Sequence, residues 1–257
     1  MGSECSSRLE AGRTVEKEMG QEQKKTGAII LAAGKGTRMH SDVQKQYMIL
    51  KGKPLILYSL EAFEESPVQE IVLVVGVGET ETVKKNVLEK ECFKKSVTVV
   101  EGGRERYHSV YAGLQALSAC GYVLIHDGAR PLITRDIIYR AIEGARKYQA
   151  CVVGMPVKDT IKVSDEDGFS EKTLKRAKLW QIQTPQAFSY DLARSAYDWI
   201  MEDMSRQEGV TDDAMVVEKW GGPRVKMIEG SYENLKVTTP EDLVVAEALI
   251  GRRGNLK

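Results

Sequence analysis

The chain has 257 residues, 42% of them hydrophobic, and its 37 basic and 37 acidic side chains leave no net charge. That length suits one large domain or two modest ones, while neutrality removes any general electrostatic attraction to nucleic acid or to an anionic membrane, so neither is expected as a partner. Four scattered cysteines, Cys5, Cys92, Cys120 and Cys151, form no C-x-x-C pair, which argues against a zinc site or a disulfide framework and for a reducing compartment, the cytoplasm.

Residues 1–26 hold five acids and five bases but no apolar run, and are expected to be a disordered tail rather than a transit or secretory leader. From Gly27 the sequence GAIILAAGKGTRM carries an apolar strand into a glycine-punctuated loop. Backbone at Ala32, Ala33, Gly34 and Gly36 can approach a phosphate closely there, with Lys35 and Arg38 as countercharge. The dinucleotide fingerprint needs glycine where Met39 stands, and the P-loop needs Ser or Thr where Gly36 stands. A tight strand-to-helix turn on a solvated surface would use the same glycines.

Further runs rich in β-branched residues follow at 71–75, 97–100, 122–125 and 151–155, separated by helical spacing over 55–64, 80–90, 104–119 and 134–148. In the third of these Tyr107, Val110, Tyr111, Leu114 and Leu117 share one face, and Thr134 offers an N-cap to the fourth. Such alternation predicts an α/β fold, a mostly parallel sheet with helices on both faces. Ligands in such folds bind beyond the carboxyl ends of the strands. Two more loops stand there: EGGRERYHSV, where Gly102 and Gly103 open a helix carrying Arg104, Arg106 and Ser109, and HDGARP, where Asp127 and Arg130 flank Gly128. Either could serve only its turn, but three such loops on one edge match the logic of an active site. His126 beside Asp127 would suit a metal phosphohydrolase, for which only His40 and His108 remain as further imidazoles.

The rhythm breaks over residues 156–188, where TIKV and LWQIQ are strand-like and the acidic turn SDEDG joins the first to a basic stretch, so the segment reads as an extended hairpin leaving the main sheet. An isolated ribbon is marginal in water, so a second subunit is its expected support. Beyond it come a helix over 190–204, the GVTDDAMVVEK helix, a strand VKMIEG and NLKVTTPEDL, where Thr239, Pro240 and Asp242 suit an N-cap, N1 and N3.

The ordered series LAAGKGTRM, QKQY, GGRERYHSV, HDGARP, VKDT, LWQIQTPQ, VTDD and NLKVTTPEDL resembles the 2-C-methyl-D-erythritol 4-phosphate cytidylyltransferase family over residues 28–250. The resemblance implies transfer of a cytidylyl group from CTP to a sugar-alcohol phosphate in non-mevalonate isoprenoid synthesis, on a Rossmann-like sheet with a protruding β-hairpin arm that joins a homodimer. It implies one nucleotidyltransferase domain over 27–250, with the arm at about 156–188 and a flexible end at 251–257. Position by position, Arg38 and Lys45 match the transition-state stabilisers, and Arg176 and Lys236 match residues that position the substrate phosphate. Ala32, Ala33, Gly34 and Gly36 match the triphosphate loop, and Gly103, Ser109 and Gly128 match positions that hold the cytidine. Asp127, Arg130, Thr160, Thr184 and Thr211 match the substrate pocket, with Thr160 and Arg176 serving the neighbouring subunit. The family usually has proline before KQY, where this chain has Gln44; losing that restraint is expected to loosen the loop holding Lys45.

The chemistry suits these residue types. A phosphate monoester is already an anionic nucleophile near neutrality, its second pKa lying at about 6, so cations rather than a Ser or His nucleophile are needed. Magnesium is the expected ion, held by triphosphate oxygens with Asp127 as the candidate carboxylate. Two rival readings remain at this point: a ribitol 5-phosphate cytidylyltransferase, and a noncatalytic nucleotide-binding regulatory module on the same fold.

Overall fold

The computed structural model describes residues 24–34 and 44–254. The tail expected over residues 1–26 therefore lies, up to residue 23, outside the described residues, as do Lys35, Gly36 and Arg38. In chain order the strands are β1 (Thr26–Ala32), β2 (Ile49–Leu50), β3 (Lys53–Pro54), β4 (Glu70–Val75), β5 (Ser96–Glu101), β6 (Tyr122–Asp127), β7 (Ala150–Pro156), β8 (Lys162–Ser164), β9 (Ser170–Thr173), β10 (Trp180–Ser189) and β11 (Lys226–Glu229). The α-helices are α1 (Leu55–Glu64), α2 (Thr80–Val83), α3 (Arg106–Ala116), α4 (Arg135–Tyr148), α5 (Tyr190–Glu202), α6 (Asp213–Trp220) and α7 (Pro240–Gly254).

Seven strands form one sheet in the order β11-β7-β10-β6-β1-β4-β5. β1 pairs parallel with β4 and β6, β4 with β5 and β11 with β7, while β10 runs antiparallel between β6 and β7. Period-two alternation sends successive side chains to opposite faces. Ala28, Ile30, Ile71 and Leu73 thus pack against Ile56, Leu60 and Phe63 of α1 and Ile138, Ala141 and Ile142 of α4. Ile29, Val72 and Val74 meet Val110 and Leu114 of α3 and Ala193, Ala196 and Ile200 of α5 on the other face. Strands buried on both faces read as unbroken apolar runs, which is why they were visible in the sequence. The mostly parallel sheet with helices on both faces is the expected architecture. Thr134 caps α4, accepting from the Ile137 amide at 3.4 Å.

Only part of the expected 156–188 segment forms the hairpin. TIKV does not pair with LWQIQ: β8 pairs with β9, the SEKT stretch, around the acidic turn. LWQIQ instead begins β10, whose Trp180–Ile182 segment extends the main sheet opposite Gly154–Pro156. The arm is therefore the polar β8–β9 ribbon, all of whose strand residues are exposed. The last helix also runs on to Gly254, past the expected boundary at 250, because Arg252 and Arg253 both pair with Glu233, the latter at 2.9 Å. Its start follows expectation, with Asp242 accepting the Thr239 amide at 2.9 Å. No helix among the described residues is long and apolar enough to cross a membrane.

Candidate active site

The sheet grows outward from β1 through β4 to β5 and the chain then crosses back to β6 on the other side of β1, and the crevice at such a switch point is where open α/β sheets take ligands. A cleft of about 1120 Å³ opens there, beyond the carboxyl ends of β1, β4, β5 and β6. Ala32, Ala33 and Gly34 form one wall, Lys45 and Gln46 another, and Gly102, Gly103, Arg104, Arg106 and Ser109 a third, with Asp127 and Lys236 between them. Gly34 faces open space. Gly102 and Gly103 are required by close approach, since a Cβ would lie 2.5 Å from Ser109 Oγ at the first and 2.4 Å from His108 Cβ at the second. The turn is locked when the Gly103 amide donates to Ser109 Oγ at 3.2 Å.

At the floor sits a charge cluster. Asp127, 8% exposed, meets Lys236 Nζ at 2.8 Å, Arg106 Nε at 3.4 Å and Arg130 Nε at 3.9 Å. Burial alone would raise its carboxyl, but the charges of Arg106, Lys236 and Arg130 prevail and hold it well below the usual carboxylate range. Arg106 is itself gripped from behind by Asp213, with two bonds at 2.6 and 2.7 Å, and the Tyr197 hydroxyl donates to Asp213 at 2.5 Å. Burial disfavours the guanidinium, and the two carboxylates more than compensate. Asp213 is fully buried, and Arg106 and Tyr197 supply hydrogen bonds to its oxygens. Neighbouring Asp212 caps α6 through the Met215 amide at 2.9 Å.

The structure thus brings Ala32, Ala33, Gly34, Lys45, Gly103, Ser109, Asp127 and Lys236 to one cleft. Arg130 lies behind Asp127 and donates to the Asn234 carbonyl at 2.8 Å. Thr184 is also behind it: its hydroxyl accepts the Asp127 amide at 3.0 Å and faces His126 Nδ1 at 3.1 Å, so it braces the strand end rather than lining the cleft. Gly128 is set by packing, a Cβ there lying 2.3 Å from Ile56 and 2.9 Å from the Leu31 carbonyl. Thr211 is exposed just before α6. Thr160 and Arg176 are exposed at the base of the arm, where Arg176 donates to the Lys158 carbonyl at 2.8 Å, and neither lines this cleft. Arg38 and Gly36 lie outside the described residues. Arg106 was singled out in sequence only as a loop cation. Its link to Asp213 spans 107 positions, and the signal that existed was the doubled acid of VTDD.

His126 is fully buried against Phe63, and burial pushes its pKa down to about 3, so it is a neutral core residue. Among the described residues no group of three or more His, Cys, Asp or Glu side chains gathers to hold a metal. The expectation that Asp127 ligates magnesium does not fit this arrangement either. Both of its oxygens already face cations, and a divalent ion placed there would meet three positive charges at short range.

Comparisons with known proteins agree on one likeness. The family model described as 2-C-methyl-D-erythritol 4-phosphate cytidylyltransferase matches residues 26–252. The protein of that name from Alkaliphilus oremlandii is 50% identical over 231 residues, covering 89% of this chain and 96% of its own. The one from Lachnospira eligens is 51% identical over 220 residues, covering 85% and 96%. Among solved structures, 4-diphosphocytidyl-2C-methyl-D-erythritol synthase from Anaerococcus prevotii superposes with a TM-score of 0.78 at 32% identity, covering 90% of this chain and 97% of that one.

Proposed function

Because the chain belongs to the 2-C-methyl-D-erythritol 4-phosphate cytidylyltransferase family, we propose that its cleft joins CTP to methylerythritol phosphate, releasing pyrophosphate and forming CDP-methylerythritol for isoprenoid synthesis. Residues 27–250 act as one nucleotidyltransferase domain. An oxygen of the substrate phosphate bonds to the α-phosphorus of CTP, and the bond from that phosphorus to the β-phosphate oxygen breaks, its electron pair leaving with pyrophosphate. Lys45 and Arg38 meet the charge that grows on the equatorial and leaving oxygens, where stabilisation acts on the transition state more than on the ground state. The backbone at Ala32, Ala33, Gly34 and Gly36 cradles the triphosphate. Gly103 and Ser109 stand on the nucleoside side, with Gly128 holding the β6 loop closed beneath it. A magnesium ion, if it enters with the nucleotide, would supply neutralisation of phosphate charge and not a bond to Asp127, which is left for the other substrate.

The observation that carries this reading is the ionised Asp127 carboxylate framed by Lys236, Arg106 and Arg130. An acceptor-only group beside an ammonium suits a molecule bearing both hydroxyl donors and a phosphate. Arg130 and Thr184 keep that carboxylate in place, and Thr211 stands near the α6 end of the pocket. The arm supports a homodimer, since it exposes Ile161, Val163 and Phe169, the last 72% exposed. Thr160 and Arg176 at its base then complete the substrate pocket of the partner. Catalysis needs neither nucleic acid nor a membrane, consistent with a cytoplasmic enzyme. Pyrophosphate release with CTP is expected to be strong with methylerythritol phosphate and weak with ribitol 5-phosphate. Preference for ribitol 5-phosphate would reassign the substrate, and release with neither would favour a binding module.

A further inference from the structure

The mechanism above leaves unused a second polar chain in the cleft. Gln46, buried, donates one amide hydrogen to the Ala32 carbonyl at the end of β1 at 2.5 Å and another to Gln44 Oε1. Gln44 donates in turn to Glu79 Oε1. The other Glu79 oxygen accepts from the Gly76 amide and from the Tyr47 hydroxyl, each at 3.1 Å. Gly76 makes the fold-back possible, because a Cβ there would lie 2.7 Å from the carboxylate.

The direction of this relay is forced. A backbone carbonyl only accepts, so Gln46 must turn its amino group towards Ala32 and Gln44 must turn its oxygen towards Gln46. That leaves the Gln44 amino group facing Glu79, where three donors converge and only a carboxylate can accept from all of them. Burial first, and the charge of Glu79 second, push the Tyr47 hydroxyl well above its ordinary range, keeping it a donor. Lys45 sits between two members of the relay, in the single 3-10 turn Lys45–Tyr47. That turn has few bonds of its own, Tyr47 N to Gln44 O at 2.9 Å and Met48 N to Lys45 O at 3.3 Å, and so short a piece does not hold its own place.

We propose that Glu79 is a positioning residue for Lys45, acting through Gln44, Gln46 and Tyr47 to tie the Lys45 turn to the ends of β1 and β4. This rests on reading Lys45 as a stabiliser of the transferred group. It also gives Gln44 a restraint of its own. Its φ of −61° is the value a proline would impose, and a side-chain tie to Glu79 takes the place of the ring.

Glu79→Gln keeps the size of the side chain but sets a donor against a donor at one end of the relay. It is expected to lower kcat about tenfold, the scale of a small misplacement of a charge-stabilising group, with KM for methylerythritol phosphate changed less than about twofold. Circular dichroism and the unfolding temperature should match the parent. In a Lys45→Ala background the same substitution should add nothing, because its effect passes through Lys45. In a Gln44→Pro background its penalty should shrink to about threefold or less, since the ring supplies the restraint instead. Parental kcat in Glu79→Gln, a full penalty persisting without Lys45, or a lowered unfolding temperature as its sole consequence would each overturn the proposal. Parental turnover in Lys45→Ala would instead sink the reading of Lys45 itself, and this inference with it.

Discussion

The cluster around Asp127 and the β8–β9 arm both carry expected site residues, yet they are built in opposite ways. Around Asp127 each charge is answered within the chain: Lys236, Arg106 and Arg130 face the carboxylate, and Asp213 and Tyr197 hold Arg106 from behind. Along the arm the strand residues are exposed, and among the described residues Arg176 reaches the Lys158 carbonyl and no carboxylate. The contrast separates two kinds of functional residue. Buried ionic groups must be balanced before substrate arrives, because leaving one unpaired costs several kcal/mol. Exposed cations on a polar ribbon carry no such penalty and can wait for a second surface.

That contrast gives an order of expected effects. Asp213→Ala strands Arg106 and the Tyr197 hydroxyl, and should cost about 3–5 kcal/mol in urea unfolding. A loss below 1 kcal/mol would mean the cluster is not internally balanced. His126 comes next. Its folded pKa, about 3, lies below the ordinary 6.5, so the unfolded chain binds the extra proton; the stability it confers is present above pH 6.5 and falls as pH drops towards 3. Between pH 6 and 5 this group should cost the parent about 1.2 kcal/mol, a slope that His126→Asn removes. An unchanged slope in the variant would place its origin elsewhere. The depressed Asp127 adds only below about pH 4, so it does not confuse that window.

The arm should give the smallest change in stability. Arg176→Ala is expected to shift unfolding by no more than about 0.5 kcal/mol, while abolishing turnover if the residue serves a neighbouring pocket. Mixed with Lys45→Ala protein, it should regain about a quarter of parental activity, since half of random dimers are mixed and each holds one intact site. Verified mixed dimers as inactive as their parents would place Arg176 in its own chain's pocket, or nowhere.

The sheet was legible because doubly buried strands such as IVLVV and AIIL carry their apolar signal in a few consecutive residues. The loops were legible because glycines at strand ends mark them, and Gly102 and Gly103 do have side chains pressed against them. The pairing of β8 was not legible. SEKT lacks the β-branched character of a strand, whereas LWQIQ has it for the sake of the main sheet. Arg106 and Asp213 escaped for another reason: the doubled acid of VTDD stands in the sequence, but nothing local says which cation it meets 107 positions away. The bond from Gln44 to Glu79 was not legible either, because its partner lies 35 positions away.

The placement of β10 sets the order in which this molecule can assemble. β6, β1, β4 and β5 are neighbours in one sheet and are complete once residue 127 has been made. β7 has no such neighbour: its partners are β10 and β11, both later in the chain. It must wait, apolar and unpaired, through the making of the whole arm, and the two halves of the sheet meet only when β10 slides in antiparallel between them. Long-range closure of that kind is slow and leaves an open strand edge at risk of self-association. The polar arm is thus also a spacer in time, keeping a soluble stretch of chain between the two strands whose meeting closes the sheet.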